Sequence, residues 1–161
     1  CEDTVYFVIA DAKVEESFRE KPTVQTVAPC GGTMSRAHRA EPLIHQVKNV
    51  GQGTMHMVGA EALERPPVRA AHPLSLSAHT MSWESKRFRV YNINSASDSI
   101  TLDYAAYGLI VSFNPVAATL GSTASIGHTT VKLEAGGFIW VEPGAQISFG
   151  EPFHGIFAEW I

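Results

Sequence analysis

From Arg87 to Ile161, apolar and polar residues alternate in short runs, and each run stops at a cluster of turn-forming residues. The runs are 87–91, 99–104, 109–113, 130–134, 138–141, 145–149 and 155–160. The clusters between them include 92–98, Ala135-Gly136-Gly137 and Glu142-Pro143-Gly144. Period-two alternation suits a strand with one face on a core and the other in water. Turn signals every ~8–12 residues then join such strands into an antiparallel sandwich or barrel. The fold class that follows is all-β: an antiparallel β-sandwich, jelly-roll-like, with an extended N-terminal region. Residues 1–84 read as an extension with strands that pack on the sandwich or reach beyond it, and 85–161 as the sandwich, or the whole as one continuous domain.

The first half is less regular. Residues 4–10 form a buried-strand pattern, and 23–27 alternate as a further strand. Between them, Val14 and Phe18 stand four apart among charges, which suits one or two helical turns or a solvated loop. Pro29-Cys30-Gly31-Gly32 reads as a turn and 33–41 as polar loop. Residues 42–50 and 53–59 look like paired strands with Gly51-Gln52-Gly53 as their turn. Pro66-Pro67 interrupts regularity within 64–73, marking an internal boundary, and 74–79 resumes as a short strand. The small, uncharged stretch 115–127 reads as a long loop. No internal repeat is visible.

Charge narrows the function. Charged residues are 17% of the chain, the net charge is −4, and Lys86-Arg87 is the one basic pair. No basic stripe is present to neutralise phosphates, so nucleic acid is not an expected partner. No apolar run reaches the ~18 residues that a bilayer-spanning helix needs, so no membrane span is expected. The first residue is Cys1 rather than Met, which reads as a processed or partial product. Cys1 and Cys30 are the two cysteines. A disulfide between them would stabilise by roughly 3 kcal/mol. Two free thiols fit what the residues show as well as that bond does, and a lipidated Cys1 is a third, lesser reading.

No catalytic constellation emerges. Seven histidines (His38, His45, His56, His72, His79, His128 and His154) are scattered, with no HExxH and no pair two apart on a strand. They read as ordinary surface or core residues, so no metal and no cofactor are expected. The nucleophile elbow Gly-x-Ser-x-Gly is absent. Asp98, Asp103, Glu134, Glu142, Glu151 and Glu159 read as solvated. The C-terminal run 156–161 is apolar on both alternations, so both its faces need cover. Ile156, Phe157, Trp160 and Ile161 are therefore the expected contacts to a partner or sister copy. Trp83 or Trp140, if exposed, would instead supply a carbohydrate platform.

Two resemblances bear on function. The stretch 131–145 resembles the second conserved motif of cupins, in which a Gly precedes a strand, a Pro-Gly turn follows, and a metal-binding His comes next. That last position falls here at Gln146 or Ile147. The first cupin motif, His-x-His with a later Glu, has no counterpart: the chain runs Met55-His56-Met57-Val58 around His56. More broadly, Arg87-Phe88-Arg89-Val90-Tyr91-Asn92, then Ile100-Thr101-Leu102, Ala135-Gly136-Gly137 and Pro143-Gly144-Ala145 resemble small β-sandwich proteins of tailed bacteriophage virions. That resemblance implies a non-enzymatic capsid decoration protein, located in the virion, homo-oligomeric, and in contact with the major capsid protein. The alternatives are a secreted or surface-exposed binding module, for example for carbohydrate, and a degenerate cupin-like metal enzyme with three or more histidines converging on an ion.

Overall fold

The computed structural model describes residues 3–19, 21–96, 100–123 and 125–161, with Ser125 and Ile126 described by their backbone. Among them every regular element is a β-strand and every pairing is antiparallel. The all-β, jelly-roll-like expectation is therefore met. Contacts divide the chain into two units, Cys1–Leu63 and Glu64–Ile161. The division falls at the start of the Pro-rich stretch, whereas the sequence set its limit for the sandwich at residues 84 and 85.

The second unit holds β7 (His79–Glu84), β8 (Phe88–Ser95), β9 (Ile100–Tyr104), β10 (Gly108–Ser112), β11 (Val116–Ser122), β12 (Ser125–Leu133), β13 (Phe138–Val141), β14 (Ala145–Phe149) and β15 (Phe153–Trp160). Two sheets result, in the orders β13-β10-β15-β8-β7 and β12-β11-β14-β9. Strands β8 to β15 make a complete jelly roll, and β7 extends one sheet. The stretch 115–127, read as a loop, instead supplies β11 and the start of β12. Small uncharged residues such as Ala117, Ala118 and Thr119 carry no strong period, but sheet neighbours on both sides hold them extended.

Strands β10 and β15 lie inside their sheet, and both are apolar on both alternations. Ile156, Phe157, Trp160 and Ile161, expected at an interface, are 0%, 0%, 7% and 4% exposed within the single chain. Phe157 lies in the interior cluster with Tyr91, Ile93, Leu102, Tyr104, Ile110, Ile147 and Phe149. Its ring takes the space above Gly108 and is the first atom group a Cβ there would strike. The turns that the sequence read at Gly136 and Gly144 need glycine, since both have φ of 86°.

The first unit holds β1 (Asp3–Val8), β2 (Ala12–Phe18), β3 (Lys21–Ala28), β4 (Thr33–Arg36), β5 (His45–Asn49) and β6 (Met57–Ala62). Its two sheets run β4-β1-β6 and β3-β2-β5. Val14 and Phe18 are four apart on a strand, not a helix: with Ala12 and Glu16 they also mark one face at period two. The polar stretch 33–41, read as loop, opens with β4. The expected hairpin is not one, since β5 pairs with β2 and β6 pairs with β1. Gly51-Gln52-Gly53 carries the chain from one sheet to the other.

This order is a repeat. Replacing β1 to β6 by β10 to β15 turns β4-β1-β6 and β3-β2-β5 into β13-β10-β15 and β12-β11-β14, the cores of the second unit's sheets. The strands β8 and β9 have no counterpart among the described residues of the first unit. The repeat is one of strand order, carried by turn placement and parity rather than by matching residues.

Candidate functional site

Alternation on each strand of the first unit sends one set of side chains between the two sheets. That set is Tyr6 on β1, Val14 and Glu16 on β2, Ala28 on β3, Met34 and Arg36 on β4, His45 and Val47 on β5, and Met57 and Gly59 on β6. With Met55 and His38 they line a cavity of about 320 Å³. Three of the chain's four methionines are in that wall. Gly59 sits opposite Tyr6 in the ladder, and a Cβ on it would come within 3.3 Å of the Tyr6 ring.

The polar groups in the wall are few, and four of them pair with one another. The Tyr6 hydroxyl is 3.2 Å from His38 Nε2. Arg36 Nη2 reaches from one sheet to Glu16 Oε2 on the other at 3.9 Å. The His45 ring stacks on Phe18 with centroids 5.9 Å apart. Arg36 keeps 47% of its side-chain surface exposed, so its ion pair is a weak constraint.

The second unit's interior is filled instead. Phe157 packs on Tyr104 and Tyr91 with ring centroids 4.6 and 6.1 Å away, and Phe149 stacks on Phe153 at 3.9 Å. One end is closed by a buried polar network. Arg89 donates from Nε to Glu84 at 2.7 Å, and from Nη1 to the Ala70 carbonyl at 3.1 Å and to Glu159 at 3.4 Å. The Tyr91 hydroxyl donates to Glu159 at 2.9 Å and accepts the Leu74 N–H at 2.9 Å. Burial raises the Glu159 carboxyl above its usual value, although the Tyr91 hydroxyl and Arg89 pull the other way. Burial also pushes Tyr91 up to about 12. Glu159, expected in solvent, is wholly buried. The cause is its place on β15 beside Arg89 of β8, on the alternation that points inward with Phe157. The network ties the segment before β7 to the barrel, and Leu74 and Leu76 pack on the core there.

His79 is half-buried at the same core. Its Nε2 lies 3.1 Å from the Tyr104 hydroxyl and its Nδ1 3.1 Å from the Ser77 carbonyl. That carbonyl only accepts, so Nδ1 carries the proton and Nε2 accepts from Tyr104. Burial lowers the His79 imidazole, against the pull of the Ser77 carbonyl. Desolvation raises the Tyr104 phenol well above its ordinary value.

The other singled-out residues do not assemble into a site. Among the described residues no three of His, Cys, Asp and Glu group to hold a metal. The two cupin-motif positions lie on β14: Ile147 is buried in the core, and Gln146 hydrogen-bonds Asp103 at 2.7 Å. Cys30 is exposed and its thiol donates to the Ile9 carbonyl at 3.1 Å. The pairing with Cys1, like Asp98, falls outside the described residues. Trp140 is 50% exposed and Trp160 is buried against it, with ring centroids 5.4 Å apart. Trp83 is half-buried. A second cavity, about 270 Å³, lies beside Trp140 between Leu120, Ile139, Glu142 and Pro143.

The residues that sequence reading missed are Glu16, Arg36, Met34, Met55 and Met57. The one linear signal is Met55 and Met57 two apart, the spacing of one strand face. Nothing in a linear pattern announces that the space between two sheets stays empty.

No protein-family model matches the sequence, and no curated protein matches it. Solved structures do match its fold. The chain is similar to a Cupin 2 conserved barrel domain protein from Leptotrichia buccalis, with a TM-score of 0.54, 6% identity, and coverage of 99% of this chain and 74% of that one. It is similar to the protein YhaK from Escherichia coli, with a TM-score of 0.53, 11% identity, and coverage of 98% and 74%. It is also similar to an oxalate decarboxylase from Lactobacillus farciminis, with a TM-score of 0.50, 9% identity, and coverage of 98% and 70%. These likenesses overturn the expected capsid decoration protein, because they run to a Cupin 2 conserved barrel domain protein and an oxalate decarboxylase instead. The turns that suggested a virion protein, Gly136-Gly137 and Pro143-Gly144, are ones that any jelly roll needs. What the comparisons show is a cupin-like jelly-roll fold.

Proposed function

We propose that the chain is a binding protein of cupin-like fold, and that it takes a small, mainly apolar organic molecule into the barrel of its first unit. The observation that carries this reading is the cavity of about 320 Å³ walled by inward-facing side chains of six strands. Ligand sites are mostly apolar cavities with a few placed polar groups, and the mouths of β-barrels are a common location. This one is at the small end of the usual range, near the liquid volume of about ten waters at ~30 Å³ each. The occupant is therefore compact. Methionine side chains adapt to different shapes, and three of them here make a wall that moulds to its guest.

A metal centre fits the residues less well. The wall offers His38, His45 and Glu16, and the described residues bring no three such donors together. The second unit's interior offers His79 beside a tyrosine, in a space that aromatic rings already fill.

The four methionines provide the test. With methyl-labelled methionine, a bound apolar fragment shifts the methyl resonances of Met34, Met55 and Met57. Met81, on β7 of the second unit, stays where it was. Fragments that move all four alike, or none, rule the cavity out as a binding site.

A further inference from the structure

The strand registers sort the cavity wall into two ends. In the sheet β4-β1-β6, the levels run from Met57 opposite Val8, through Met34 and Gly59 opposite Tyr6, to Arg36 opposite Thr4. In the sheet β3-β2-β5 they run from Ala28 opposite Ala12, through Val14, to Val47 opposite Glu16 and His45 opposite Phe18. The Arg36–Glu16 ion pair joins the last levels of the two sheets. One end thus gathers Arg36, Glu16, His45 and, two residues past Arg36, His38. The other gathers Val14, Ala28, Met57 and Met55. The cavity is amphipathic along its length.

At the charged end the Arg36 guanidinium faces one carboxylate of the wall, Glu16. Glu61 stands across Thr4 from Arg36 in the sheet but is not part of the wall. Arg36 meets Glu16 at 3.9 Å, beyond the length of a good charge-assisted hydrogen bond, so its fork of donors is available to a better-placed oxygen pair. A carboxylate matches that fork in a way that an alcohol or amide does not.

We propose that the ligand is a short amphipathic carboxylic acid. Its carboxylate engages Arg36 in place of Glu16, and its aliphatic or aromatic body lies among Val14, Met55 and Met57. This rests on the cavity being the binding site, and it adds the chemistry of the occupant.

The test compares acids with their neutral amides of equal size, hexanoate with hexanamide and phenylacetate with phenylacetamide, by titration calorimetry on the full chain. The acid is expected to bind at least about tenfold more tightly than its amide, the equivalent of ~1.4 kcal/mol. Arg36→Gln removes that preference while the amide keeps its affinity. Glu16→Gln, which frees the guanidinium, leaves acid binding as tight or tighter. Circular dichroism of both variants, whose substituted side chains are partly exposed, establishes that the sheets persist. Equal binding of acid and amide, or a preference that survives Arg36→Gln, overturns the carboxylate assignment and leaves the cavity as a site for neutral guests. Failure of every probe to bind overturns the cavity reading and this inference with it.

Discussion

The two units share a strand order and differ in what stands between their sheets. In the second, inward-facing Tyr91, Tyr104, Ile147, Phe149 and Phe157 meet and exclude space. In the first, the corresponding faces carry Tyr6, Met34, Arg36, His45 and Met57, and a cavity remains. The same topology serves packing in one case and accommodation in the other. The difference lies in side-chain volume and polarity at inward positions, which the backbone path does not dictate.

That contrast is open to attack at its strongest point first. Phe157→Ala empties the centre of the filled unit and is expected to cost about 3–5 kcal/mol. Met57→Ala in the first unit only enlarges an existing space and is expected to cost less than half as much. Urea unfolding followed by tryptophan fluorescence reads the filled unit alone, because Trp83, Trp140 and Trp160 all belong to it. The methyl resonances of Met34, Met55 and Met57 read the other. Comparable losses would mean that the first unit is as tightly filled as the second.

Glycines under aromatic rings sharpen the comparison. A Cβ on Gly155 would press into both the Phe153 ring and the Val111 carbonyl. Gly155→Ala is therefore expected to destabilise by about 1–3 kcal/mol, as overpacking does. Gly59→Ala meets the Tyr6 ring at 3.3 Å beside open space, and the ring has room to give way. Its expected cost is under about 1 kcal/mol. A reversed ranking of the two melting midpoints would undo the assignment of loose and tight interiors.

The smallest effect is a pH dependence of the filled unit. Glu159 holds its proton to higher pH when folded than its ordinary value of 4.5. Stability is then full below 4.5 and falls as pH rises through the folded value. His79 acts at the other side of its own window. Its folded value is lowered, so its neutral form stabilises above 6.5, and that contribution is lost as pH falls below it. Glu159→Gln should flatten the decline above 4.5 in tryptophan-detected unfolding. An unchanged pH profile would show that the carboxyl ionises without cost in the Arg89 network.

Much of the second unit was legible because its strands obey period two with strong residues. Thr101 and Asp103 against Leu102 and Tyr104 is an alternation that burial reproduces directly. Strand β2 was not legible, because Val14 and Phe18 satisfy helical and extended spacing together, and only the partners β3 and β5 decide between them. Glu159 was misplaced for a related reason. Charge argues for solvent, but parity with Phe157 on β15 argues for the interior, and Arg89 beside it makes that interior tolerable. The cavity had no linear signature. Arg36 lies in a stretch polar enough to pass for loop, and its meeting with Glu16 depends on two sheets facing each other.

The Tyr6 ring lies loosely over Gly59, whereas Phe157 and Phe153 are clamped over Gly108 and Gly155. Substitution at the clamped pair is expected to cost stability, so those positions resist drift. The wall around Tyr6 carries no such veto. Single exchanges there can retune which guest is preferred while the scaffold survives, and a lineage of such chains would be expected to vary in appetite long before it varies in architecture.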